Sequence, residues 1–295
     1  MNSSIFIIAL KEFRDRLRSG WIIACVLVWL GAISLTSLFG LIQIGHIGVQ
    51  GYERTTMSLL NLAQYLVPLL GLLVGHDLVV REREERTLNL ILATGVTRAR
   101  LLIAKFIGGA LTVTVPLVLG FVIAGALVGV AARDRAFAPF LKLALSGLAL
   151  GIAFNGIGLL ISTLARSRVQ ALVCALLAWG VAVFAFDLAA LGVIVSTKAV
   201  QASHEIDVVC DATHVNNQAD IHTAFDSNTP TTKHSEAKAQ HFTWLWLNPV
   251  DVFRVINLPS ALSVPLPWSA AGASVLAWIV LCLGAAAWRL ERVDL

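Results

Sequence analysis

Charge is scarce in this chain: Asp, Glu, Lys and Arg make up only 14% of its 295 residues, where soluble domains carry about 25%. A further 57% is hydrophobic, with mean hydropathy +0.80. Single cores stop growing near roughly 250–300 residues, so a water-soluble fold would strand far more apolar surface than one core can hide. A bilayer removes that difficulty. Cysteine is also thin: Cys25, Cys174 and Cys282 fall inside apolar runs as small hydrophobes, leaving Cys210 alone in a polar segment. One such thiol makes no disulfide framework. No G-x-x-x-x-G-K-[ST] phosphate loop occurs, so any ATP chemistry would belong to another chain. The net charge of +4 does not point to nucleic acid, because the bases flank apolar spans and read more simply as orientation signals.

What is present is a set of long apolar runs. A spanning helix needs about 20 mostly apolar residues. Six segments qualify: Trp21–Gly45, Met57–Val80, Leu101–Ala131, Phe140–Ala165, Val169–Val195 and Trp268–Trp288. The fold class is therefore all-α, a polytopic membrane protein with residues 1–295 forming a single transmembrane domain. Ala132–Pro139 and Arg166–Arg168 leave room only for tight connections, whereas 196–267 is a long polar loop on one side. Fourteen of the 22 Lys and Arg residues lie on the side of the N-terminus if that terminus is inside. The positive-inside rule then predicts both termini in the cytoplasm. A cleaved signal at Ala32-x-Ser34 is the competing reading of the start. The apolar run continues to Gly45 and a charged helix precedes it, which favours an uncleaved first span.

Residues 1–20 read as an amphipathic interfacial helix. Phe6, Ala9, Leu10, Phe13 and Leu17 recur at helical spacing, with Lys11, Glu12, Arg14, Asp15, Arg16 and Arg18 on the other face. Lys11–Asp15 and Glu12–Arg16 stand four apart and are expected to pair. Residues 81–100 read as a charge-dense helical hairpin. Arg81-Glu82-Arg83-Glu84-Glu85-Arg86-Thr87 has both signs interleaved, followed by an apolar face of Leu88, Ile91 and Leu92. Gly95 breaks the helix, and Thr97 stands where it can cap the next one at Arg98. A solvated connection is the plain reading of such a run. Alternating signs also suit docking into a complementary protein groove.

The run Arg81–Leu88, followed by Arg98-Ala99-Arg100-Leu101-Leu102-Ile103-Ala104-Lys105, resembles the pattern of ABC-2 type transporter permeases. Lys11-Glu12-Phe13 and the six-span layout match as well. Arg166–Leu172, Asp187-Leu188 and Leu247–Arg254 extend the resemblance to permeases of nitrous oxide reductase maturation. The resemblance implies a permease homodimer in a bacterial inner membrane, paired with cytoplasmic ABC ATPase subunits that bind the ATP. It implies no cofactor on this chain, a periplasmic accessory protein, and service to a copper enzyme. Glu82, Arg83, Glu84, Glu85, Arg86 and Thr87 would be the coupling element.

Four polar residues at membrane depth are candidates for function. Asp187 in the fifth span costs about 2.5–3.5 kcal/mol by insertion scales unless paired or wet, so it is either functional or tied between helices. Asn155 reads as a helix–helix contact. His76 and Asp77 sit near one end of the second span, where headgroups and water explain them more simply than a gate. The long loop holds His204, His214, His222, His234 and His241 with Cys210, Asp207, Asp211 and Asp220, but their spacing matches no compact metal site. An integral membrane enzyme using those groups, or a passive anchor, is the alternative to a transporter. After Trp244-Leu245-Trp246, a short outside helix is expected at about 249–256, lying on the surface.

Overall fold

The computed structural model describes residues 2–42, 49–88, 93, 96–132, 137–185, 188, 248–257 and 268–292. Among these residues there is no strand. The helices are α1 (Asn2–Leu17), α2 (Gly20–Ile42), α3 (Val49–Gly75), α4 (Val80–Glu84), α5 (Arg98–Ala132), α6 (Phe137–Leu164), α7 (Arg168–Gly180), α8 (Pro249–Asn257) and α9 (Trp268–Arg292). A π-helical turn, Val181–Ala185, follows α7. The chain forms two compact units, Met1–Trp179 with Asn248–Leu295, and Gly180–Leu247. Only 180–185 and 188 of the second are described.

Among the described residues, five segments are long and apolar enough to cross a membrane: Gly20–Phe39, Thr56–Glu84, Arg98–Leu127, Pro139–Leu164 and Gly272–Leu290. Arg168–Phe184 is apolar but shorter, and the rest of the expected fifth span lies outside the described residues apart from Ala185 and Leu188. The six-span reading and the helical architecture agree with this. Large apolar side chains of α2, among them Trp21, Leu27, Val28 and Phe39, stand exposed. On a soluble protein so much exposed apolar surface would mark a contact area; here it is the face that lipid covers.

The most extensive contact in the bundle is between α3 and α6. Gly75 makes it close: a Cβ there would lie 2.6 Å from the Asn155 carbonyl and 2.8 Å from Gly158 Cα. Small residues on facing helices let backbones meet in this way. Beside the seam, the Trp29 indole donates to the Pro116 carbonyl at 2.9 Å, and Phe121 stacks edge-on against Trp29 and Phe140.

Two boundaries differ from the sequence expectation. The second span is not one helix over Met57–Val80: α3 runs from Val49 to Gly75 and a turn at 76–79 separates it from α4. The helix expected outside forms at the expected place but does not lie on a surface. Pro249, Val250, Asp251, Val252 and Phe253 are buried, and α8 packs on α3, α6 and α9. Its amphipathic pattern is spent on the bundle. The Asn248 side chain caps it by accepting from Val250 N–H at 3.1 Å, while Arg254 donates to Gln64 at 2.7 Å and Asn257 to Ser146 at 2.8 Å.

Candidate functional site

The chain turns at 76–79 because a second helix supplies what the turn lacks. Val79 and Val80 open α4, and no neighbouring side chain caps it. Their N–H groups donate instead to Ser162 Oγ on α6, at 2.9 and 3.0 Å. Two donors that a helix start leaves orphaned are thereby satisfied from across the bundle. The other end closes just as tightly. Arg86 sits at φ 54°, Arg86 N–H donates to the Arg83 carbonyl at 3.2 Å, and Thr87 N–H to the Glu82 carbonyl at 3.0 Å. This is the paired-bond helix stop that glycine usually serves. An arginine there carries the left-handed cost, roughly 1–2 kcal/mol.

Around this short segment runs a chain of charges, two buried cations and three half-buried carboxylates. Arg16 on α1 meets Asp77 at 2.7 Å and Glu12 at 2.9 Å, and donates to the Val74 carbonyl at 2.9 Å. Lys105 on α5 meets Glu12 at 3.1 Å and Glu82 at 2.7 Å. Arg16 is 3% exposed and Lys105 1%. Burial by itself would raise the Glu12 pKa, but Lys105 and Arg16 outweigh it and hold the carboxyl below its ordinary value. Burial likewise works against the Arg16 charge, and Asp77 and Glu12 more than offset it, raising that pKa. Three carboxylates face two cations, and two buried atoms, Arg16 Nη2 and Glu82 Oε2, have no hydrogen-bond partner among the described residues.

The opposite side of α4 looks outward. Arg83 reaches back, donating to the Ala165 and Thr163 carbonyls at 2.9 and 3.3 Å and closing the C-terminal end of α6. Glu84 and Glu85 are exposed and meet Arg168 at 2.9 and 2.6 Å, with Arg81 at 3.3 Å from Glu85. The Arg168 hydrogen bond leads in lowering the Glu85 pKa. Exposed pairs of this kind contribute little stability, so they order the surface without fixing it.

The sequence candidates divide accordingly. Glu82 and Arg83 face the bundle, Glu84, Glu85 and Arg86 face outward, and Thr87 is half-buried at the stop. Leu88 is buried; Ile91, Leu92 and Gly95 lie outside the described residues, and α5 starts at Arg98 directly after Thr97. His76 is buried in the turn with Nδ1 2.9 Å from the Leu73 carbonyl, and Asp77 belongs to the charge chain. Asn155 sits apart from this site, its Nδ2 donating to the Phe106 carbonyl at 3.3 Å where α3, α5 and α6 meet. Asp187 and the histidines of the long loop lie outside the described residues, among which no cluster of three metal-binding side chains occurs.

The N-terminal helix keeps its two expected faces, and part of the polar one meets the protein. Its buried face holds Ala9 and Arg16, while Phe6 and Ile7 are 65% and 64% exposed. Glu12 and Arg16 pair as expected, whereas among the described residues Lys11 and Asp15 form no ion pair. The polar stripe at Glu12 and Arg16 thus turns to the protein and apolar residues turn away from it. Sequence reasoning took Lys105 only as a basic flank of the third span and assigned no role to Ser162. A lysine five residues inside an apolar run was the available signal, since a charge there needs a partner.

A helical bundle with lipid-facing spans and a charged, capped segment at one end defines a multi-pass membrane protein. The chain belongs to the ABC-2 family transporter proteins, whose family model matches residues 6–295. It is 32% identical to the probable ABC transporter permease protein NosY of Pseudomonas aeruginosa over 198 residues, 66% of this chain and 72% of that one. It is 26% identical to the probable ABC transporter permease protein NosY of Stutzerimonas stutzeri over 299 aligned positions, 95% of each chain. Membership of this family implies an ATP-binding partner.

Proposed function

We propose that this chain is the membrane subunit of an ATP-driven complex, in which two copies pair with two separate ATPase subunits that dock on α4. The observation that carries the reading is the division of α4 into two faces. One is fastened to α1, α5 and α6 through Asp77, Glu82, Arg83 and the Val79–Val80 amides. The other presents Arg81, Glu84, Glu85 and Arg86. A segment held from behind and charged in front is suited to receive motion from a partner and pass it into helices. In this reading the α4 end is cytoplasmic, both termini lie inside a bacterial inner membrane, and 196–267 faces a periplasmic accessory protein. The likeness to NosY-named relatives extends the reading to maturation of a copper enzyme, with the chain itself performing no catalysis.

Charge reversal tests it. Glu84→Lys with Glu85→Lys should leave membrane insertion intact, because the surface pairs it breaks are worth only about 0–1 kcal/mol each. It should abolish co-purification of a phosphate-loop ATPase in mild detergent. Unchanged association and hydrolysis in that variant would overturn the docking role.

A further inference from the structure

Charge at the α4 end of the bundle is answered unevenly. The carboxylates of residues 77–85 are all engaged: Asp77 with Arg16, Glu82 with Lys105, and Glu84 and Glu85 with Arg168. Where α4 meets α9 the cations have no such partners. Arg83 gives Nη1 and Nη2 to the Ala165 and Thr163 carbonyls, but its Nε is buried with no hydrogen-bond partner among the described residues. Arg289 on α9 lies within electrostatic reach of Arg83 and repels it. Neither forms an ion pair among the described residues. Arg98 on α5 donates to the Leu290 carbonyl at 2.7 Å, which brings a third guanidinium beside them.

The fold holds these like charges together. Leu78 and Val79 of the turn, Leu102 of α5, Leu159 of α6 and Ala286 and Leu290 of α9 pack into one apolar cluster, which fixes the end of α9 against α4. A buried donor without an acceptor needs an explanation, and two mutually repelling guanidiniums beside it call for an anion.

The outer face of α9 says which anion. Leu276, Val280, Gly284 and Trp288 recur four apart and are all exposed, a stripe that faces lipid. It ends at the Trp288 ring, with the Arg292 guanidinium 4.3 Å from its centre. Tryptophan favours the membrane–water interface, so Arg289 stands at headgroup depth. Phosphate is the anion of that layer. Its two free oxygens can accept from Arg83 Nε–H and from Arg289. A zwitterionic headgroup brings its own ammonium to the same phosphate, and a net anionic one does not. Basic pockets between spanning helices bind such headgroups.

We propose that Arg83 and Arg289 form a binding site for the phosphodiester of an anionic phospholipid, at the end of α9 and against α4. The site uses the bundle side of α4 and is independent of any protein docked on its outer face.

Native mass spectrometry of the full chain in mild detergent tests it, with phosphatidylglycerol, phosphatidylcholine of the same acyl chains, or inorganic phosphate added. Wild type should bind one phosphatidylglycerol about 25-fold more tightly than phosphatidylcholine, at about fivefold for each arginine. Arg289→Gln alters an exposed side chain that makes no hydrogen bond among the described residues. It should weaken phosphatidylglycerol about fivefold and leave phosphatidylcholine unchanged, and Arg289→Lys should restore most of the loss. Arg18→Gln removes an exposed cation ahead of α2 and should change little. An equal loss there would mean that the summed field of the bases acts rather than a site, and would overturn the proposal. Equal wild-type affinity for the two lipids overturns it whether or not Arg289→Gln folds. Inorganic phosphate that binds as tightly as phosphatidylglycerol and displaces it would assign the pair to a free anion, overturning the lipid. So would an Arg289→Gln chain that loses a bound ATPase subunit while holding phosphatidylglycerol as wild type does, since a protein carboxylate would then be the partner.

Discussion

α3 and the turn and short helix that follow it are held in two different ways. Over Gly71–Gly75 α3 meets α6 backbone to backbone, with no space for a side chain. One turn later the chain is held by Arg16, Lys105 and Ser162, through charges and hydrogen bonds reaching from three other helices. The first contact is non-directional and has one best distance. The second is directional and has several ways to be satisfied. A seam of the first kind suits a part that stays fixed, and a cluster of the second kind suits a part that is displaced and returns, because packed cores respond to strain by discrete rearrangement rather than by stretching.

Three perturbations separate these regions. Gly75→Leu should have the largest effect: its Cβ would meet backbone atoms that cannot rotate away, so the seam itself must part and the cost should lie well above the roughly 1–3 kcal/mol typical of overpacking. The expected outcome is loss of monodisperse protein on size exclusion in detergent, with no rescue by salt. Lys105→Met should come next at the charged end. Removing one partner of a buried pair costs about 3–5 kcal/mol, and the lower end applies because Glu12 and Glu82 keep some contact with water. A thermal melt of the purified chain should show a clear drop with the bundle still folded. If Lys105→Met destabilised more than Gly75→Leu, the assignment of fixed seam and movable cluster would be reversed.

The smallest effect is that of pH. The Glu12 pKa is depressed in the folded chain, so its contribution is fully present above the ordinary carboxylate value of about 4.3. It is lost as pH falls through the depressed value. A spin label at Arg14 should therefore stay immobilised from pH 8 down to about 5 and loosen only in stronger acid. Loosening near neutral pH would show that Glu12 is not the group holding α1.

Much of the fold was legible because apolar runs are local. The five complete spans among the described residues and the helix at Pro249 follow from short windows, whereas the break after α3 did not. The candidate site was half legible. The mixed-charge run Arg81–Arg86 announced itself, but alternation along a strip of sequence did not say that Glu82 and Arg83 face inward and Glu84 and Glu85 outward. The burial of α8 was missed for the same reason: its amphipathic pattern identifies a wet face and a dry one, not whether lipid, water or protein covers each.

The sequence by itself determined that the chain is a helical membrane protein of six expected spans with a charged segment after the second, since hydropathy over twenty residues decides insertion. Which charges bury and which remain outside was decided only by the tertiary structure. Arg16 and Asp77 are 61 positions apart, and Lys105 and Glu12 93. A buried charge is tolerable only where its partner has been brought to it, and no local pattern records that meeting.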